Sequence, residues 1–170
     1  KLIGTCLPKR SNKLIGISLA REGIEVVRNI RDSNWVDPAS TDWDAGLNGG
    51  SLSLPITDLS SATALDYAVT GFADTKATVY TDGNFYLQGG TASGTSSSFY
   101  RLLYLSPICH TAAGTEQIVP KGSANDCVAQ FGAGYSKVGL RVIAEVHWPA
   151  AASNQKAVVE DRFYNWQTLC

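Results

Sequence analysis

Few residues of this chain are able to do chemistry. His110 and His147 are the only two histidines among 170 residues, and their separation matches no short-spaced metal or catalytic pair. His110 follows Cys109 directly, which raises a Cys–His nucleophile pair. That chemistry needs an imidazole aimed at the thiol in space, and adjacency along the chain does not supply it. No GxSxG, HExxH, P-loop or GxGxxG pattern occurs. Asp37, Asp42, Asp44 and Asn48 place oxygen ligands in one loop-like stretch, the donor type a hard cation such as Ca²⁺ takes. Counted from Asp42, an EF-type loop needs Gly at its sixth position and Glu at its twelfth, where the chain has Leu47 and Ser53. Solvated turn carboxylates are therefore expected, with Asp42, Asp44 and Asn48 the weak metal candidates, and neither a catalytic residue nor a cofactor is expected.

Two further residue classes bear on function. Cys6, Cys109, Cys127 and Cys170 are even in number and show none of the paired short spacings of a zinc site or a redox CxxC. Disulfides are the better reading, which implies an oxidising compartment: the cell surface, the medium or the periplasm. Four cysteines allow three connectivities. Cys109 with Cys127 is expected, because both fall in a turn-rich connection between two strands and close a short loop, which leaves Cys6 with Cys170. The aromatic side chains Trp43, Tyr80, Tyr86, Tyr100, Tyr104 and Trp148 offer flat faces suited to sugars, although sheet cores and cross-strand pairs use the same residues. They supply the alternative function, a secreted β-rich binding module or adhesin.

The elements that position these residues follow from pattern. With 14 basic against 15 acidic residues and only 17% charged positions, the chain carries no field to draw in nucleic acid or an anionic membrane. A hydrophobic share of 44% indicates one folded domain rather than a disordered tail. No run of about 20 apolar residues is present to span a bilayer. From Asn12 to Asn34 apolar residues recur at intervals of three and four, with Ile17, Ala20, Ile24 and Val27 as the packing stripe of a helix. Arg21 with Glu25, Glu25 with Arg28 and Arg28 with Asp32 sit three or four apart on the same helix. Ser11 is a candidate cap, and because Pro8 is tolerated in a first turn but not in a helix interior, Lys1 to Arg10 form a separate helical piece or an irregular one.

After Asp37-Pro38 a long loop runs to about residue 63. Strands then follow at Ala64–Thr70, Thr78–Thr81, Asn84–Gln88, Phe99–Ile108, Lys137–Trp148 and Ala157–Trp166, with Asp82-Gly83 as a hairpin turn. The stretch 89–98 reads as a flexible tract, and 111–134 has turns without a period. This predicts an α+β fold: an N-terminal helix region over 1–36, an αβ-loop over 37–63, and an antiparallel β-sheet over 64–170 with a disulfide-closed loop.

The helix stretch Leu19-Ala20-Arg21-Glu22-Gly23-Ile24-Glu25-Val26-Val27-Arg28-Asn29-Ile30-Arg31-Asp32-Ser33-Asn34-Trp35 resembles the helix end of bacterial type IV pilin-like proteins, the minor, PilV-like pilins and pseudopilins. Asp66-Tyr67, Phe99-Tyr100-Arg101 and Phe163-Tyr164-Asn165-Trp166 follow in the order that family uses, so the resemblance covers about Asn12 to Trp166. It implies a pilin-like fold and a non-enzymatic structural subunit of an extracellular pilus or pseudopilus filament. The implied partners are other pilin subunits and an inner-membrane assembly machinery. It also gives the charges Arg21, Glu22, Glu25, Arg28 and Arg31 a role in setting register between neighbouring helices. The family's mature subunits begin with a long hydrophobic helix that this chain lacks, and truncation of that segment is the favoured expectation.

Overall fold

A computed structural model describes residues 7–37, 40, 42–56, 64–89, 94–123, 125–150 and 153–165. Helix α1 spans Leu7–Val36, so Pro8 stands in the first turn of one continuous helix, where its missing N–H is not needed. Ser11 consequently lies inside the helix and is not its cap. Of the four stripe residues, Ala20, Ile24 and Val27 are buried, while Ile17 is half-buried at the margin of the core. Leu19, Val26 and Ile30 widen the buried face.

The strands are β1 (Leu52–Ile56), β2 (Ala64–Asp66), β3 (Thr78–Thr81), β4 (Tyr86–Leu87), β5 (Thr95–Thr111), β6 (Glu116–Ile118), β7 (Tyr135–Ala150) and β8 (Ser153–Tyr164). All strand pairings among the described residues are antiparallel, and the spine is β5, which runs beside β7 from Tyr100 to Thr111. On its other side β5 meets β3, β1 and β6 in turn. Beyond β7 lies β8, in unbroken register from Gly139 opposite Tyr164 to Ala150 opposite Ser153. The helix lies on one face of this sheet, against β7 and β8 above all.

Close approach is made through Gly16 and Gly23, two helical turns apart on the packed side. A Cβ at Gly16 would stand 2.5 Å from the Trp148 ring, and one at Gly23 would stand 2.9 Å from Leu103. Alternation does the rest, since Phe99, Leu103 and Leu105 of β5 and Val142, Ala144, Val146 and Trp148 of β7 fill the same core as the helix stripe.

Several elements differ from the sequence expectation. The αβ-loop of 37–63 contains β1, whose Leu-Ser-Leu-Pro-Ile run is masked by Pro55. This strand pairs with β5 only through Leu52 and Ser53, so the proline falls at the sheet margin, where a lost donor is tolerated. The strand expected over Ala64–Thr70 stops at Asp66, because Asp66 turns back to accept the Ala68 N–H. The tract 89–98 yields its last residues to β5, which starts at Thr95. Elements other than strands also follow the helix: a 3₁₀ turn at Thr75–Ala77, with Asp74 as its cap, and helix α2 at Cys127–Phe131, capped by Asp126.

Candidate functional site

On the helix side of the sheet, one side chain breaks the apolar pattern. Arg101 occupies a core-facing position of β5 and is fully buried. Its Nη1 donates to the Leu19 carbonyl at 2.9 Å and to Glu22 Oε2 at 2.7 Å, and its Nε donates to Gln88 Oε1 at 2.8 Å. Gln88, also buried, donates through Nε2 to the carbonyls of Ala77 and Arg101, each at 2.9 Å. Burial pushes the guanidinium pKa down and the Glu22 charge opposes that, but an arginine stays protonated in either case. The cluster is a strap that holds the middle of α1 to β5.

A second strap holds the end of the helix. Arg28 bridges Glu25 and Asp161 of β8, each at 2.7 Å. The Arg31 guanidinium lies 4.4 Å from the Trp35 ring and 4.7 Å from the Phe163 ring, and it pairs with Asp32 at 2.7 Å. Of the charges assigned to neighbouring helices, Glu22, Glu25, Arg28 and Arg31 therefore have partners within the chain, and Arg21 is exposed.

The cation candidates do not assemble. Asp44 is spent on Lys137, whose Nζ stands 2.6 Å from its carboxylate and 5.7 Å above Trp43. Asp42 and Asn48 are exposed, and no cluster of three or more His, Cys, Asp or Glu fit for a metal exists among the described residues. An ammonium thus occupies the place where a hard cation would compensate Asp44. Nearby, Tyr67 donates to the Gly46 carbonyl at 2.9 Å and packs beside Gly49, and burial pushes its hydroxyl pKa up to about 12.

Cys109 is bonded to Cys127, so its sulfur is not a free nucleophile for His110. The bridge ties β5 to α2 around a small core of Val119, Phe131 and Tyr135. Cys6 and Cys170 lie outside the described residues. The aromatic side chains do not form one platform. Trp148 and Tyr86 pack against Phe99 on the helix side, whereas Tyr104 lies beneath Lys121, 3.5 Å from its Nζ, and Trp43 lies beneath Lys137.

The opposite face of the sheet holds a cluster of titratable groups around Glu145. Glu145 of β7 is nearly buried, and it receives Lys121 at 2.5 Å and Lys156 at 3.1 Å, with His147 Nε2 at 3.6 Å. The His147 ring stacks on Phe72 at 3.7 Å. Burial raises the Glu145 pKa, but hydrogen bonds and charge from Lys121 and Lys156 outweigh it and hold the carboxyl below its ordinary range. A carboxylate so stabilised is a poorer proton acceptor, the reverse of what general-base catalysis needs. Sequence reading missed both Arg101 and Glu145. Their signal was a charge within an apolar strand, in the runs Phe99–Ile108 and Val142–Trp148.

An opening lies between the early turns of α1 and the β3–β4 hairpin. It has a volume of about 470 Å³ and is lined by Leu14, Ile15, Leu19, Glu22, Phe85 and Tyr86 among others. Leu14 is 68% exposed and Phe85 58%, so the groove is open and mostly apolar, with Ser18, Glu22 and Asn84 as its polar lining. Compared with known protein families, curated proteins and solved structures, the chain matches none.

Proposed function

We propose that this chain is the globular part of a structural subunit of a type IV pilus or related pseudopilus filament, a pilin-like domain without enzymatic activity or cofactor. The observation that carries the reading is the division of α1. From Ile15 onward the helix is strapped to its own sheet, while Leu14, one residue earlier, is 68% exposed on a helix that already began at Leu7. A helix held this way at one end is suited to transmit assembly at the other. An apolar segment continuous with it would pack among other pilin subunits and engage an inner-membrane assembly machinery. The disulfide and the loops of the sheet would face the extracellular or periplasmic side.

The test is to express the chain fused behind an apolar pilin-type helix in a cell that has pilus machinery, and to label intact cells with immunogold. Label along filaments is expected. Diffuse surface label with bare filaments overturns the subunit reading and favours the binding module or adhesin. That alternative has less support, because the aromatic residues that would serve a carbohydrate are divided between the two faces of the sheet.

A further inference from the structure

Strand β8 is the one long edge among the described residues. The other marginal strands, β2, β4 and β6, have only three, two and three residues. By contrast β8 has twelve, pairs with β7 alone, and carries no proline, glycine or register shift. Proteins ordinarily blunt such an edge by bulging, shortening or covering it, because its free N–H and C=O groups template another strand. Among the described residues only charge is left to do so, and the charges are arranged to attract a copy of themselves.

The geometry points to a second copy of this chain as the occupant, with β8 pairing antiparallel to the partner's β8 about a dyad at Val158. The direction of the free backbone groups follows from the Asn165 N–H, which donates to the Val138 carbonyl at 2.8 Å. Continuing the register, odd-numbered residues of β8 bond to β7, so Lys156, Val158, Glu160 and Arg162 direct their N–H and C=O outward. In the proposed register, Val158 exchanges two hydrogen bonds with the partner's Val158. Lys156, which also reaches Glu145 at 3.1 Å, lies opposite the partner's Glu160, and Glu160, 3.5 Å from Arg162, lies opposite the partner's Lys156, so the two strands present complementary charges to each other on one face. Val158, 49% exposed on the monomer, is covered at the centre. A shift to a neighbouring symmetric register loses this match: a dyad at Glu160 would oppose Glu160 to itself, and one at Lys156 would oppose Lys156 to itself. Such a contact is isologous and closes at two subunits. It uses no residue of the assembly helix and does not depend on the filament reading.

Sedimentation equilibrium of the soluble 170-residue chain tests it, with circular dichroism and the melting midpoint as controls for folding. A concentration-dependent dimer is expected, since a single strand pair belongs with weak interfaces. Val158→Pro removes an N–H that β7 does not use, so it should give a monomer with an unchanged fold. Should that variant unfold, two others decide. Glu160→Lys sets lysines opposite each other twice per dimer and should weaken association at least tenfold. Val158→Cys should cross-link to its own copy under mild oxidation above the wild-type level, whereas Arg162→Cys should not, because position 162 lies far from the dyad. A wild-type chain that stays monomeric into the millimolar range, a dimer that survives both Val158→Pro and Glu160→Lys, or equal cross-linking by the two cysteine variants overturns the proposal. Filament incorporation is measured separately in cells, so the two readings fail independently.

Discussion

The two faces of the sheet solve the burial problem in different ways. The helix-covered face is a continuous apolar core from Leu19 to Phe163 with one charged side chain, Arg101, whose bonds go to α1 and Gln88. The opposite face is covered piecemeal. A small cluster of Leu54, Val69, Ala77 and Leu102 sits beneath the segment after β2, and beside it Glu145 is compensated by Lys121 and Lys156. A periodic element can be laid over a sheet as a unit, whereas a loop covers it one residue at a time. The first face should therefore fail as a whole when broken, and the second should lose only local order.

The largest effect is expected where that distinction is tested most directly. Ile24→Asp buries an unpaired carboxylate among Val27, Leu103 and their neighbours, and should cost about 4 kcal/mol or leave the chain unfolded. Arg21→Ala, on the exposed side of the same helix, should change stability by less than about 0.5 kcal/mol. Urea titrations of the two variants compare them, and similar shifts would mean that the helix does not act as one packed face. Arg101→Ala is the next test. It strands Gln88 and the Leu19 carbonyl in the core while Glu22, half exposed, recovers water, so about 3 kcal/mol is expected. Gln88→Ala should cost less, because Arg101 keeps two of its partners.

Removing the Cys109–Cys127 bridge tests a third, covalent way of covering the sheet. The cysteines are 18 residues apart, and opening a loop of that order should cost about 3 kcal/mol at most. The loss should be local. Hydrogen exchange in a Cys109→Ser/Cys127→Ser double variant should accelerate around α2 and β6 and leave α1 protected. Uniform acceleration would show that the lobe is integral to the main core.

The same contrast explains what the sequence made legible. Helix α1 and strands β3, β5, β7 and β8 announce themselves through periods of 3.6 and 2, because a face buried against one partner must repeat. Ala20, Ile24 and Val27 needed no further information. Strand β1 was hidden because Pro55 and the preceding Gly49-Gly50 carry the composition of a loop, and only its pairing with β5 and β2 defines it. The straps were hidden for a related reason. Arg28 and Arg31 have helical neighbours that satisfy a local charge reading, while their decisive partners, Asp161 and Phe163, lie more than a hundred residues away in sequence. Cation candidates read from Asp42, Asp44 and Asn48 failed likewise, since nothing local reveals that Lys137 would arrive at Asp44.

A smaller effect than those of the core and the bridge belongs to Glu145, and it separates the faces by pH. Its folded pKa lies below the ordinary value of 4.5 because Lys121 and Lys156 outweigh the effect of burial. A depressed carboxylate stabilises the fold above its unfolded pKa, and that contribution is lost as pH falls through the folded value. Both lysines are partly exposed, 38% and 60% at the side chain, so solvent screening limits the contribution to about 1 kcal/mol. Glu145→Gln should therefore be less stable than the parent at pH 7 by that amount, and the difference should vanish well below pH 4.5. Added salt should also narrow the gap at pH 7. Arg101 does not titrate over this range, so Arg101→Ala should keep most of its deficit at both pH values. A Glu145→Gln deficit that is independent of pH would assign the cluster to packing rather than charge, and would make the outer face more like the helix side than its residues suggest.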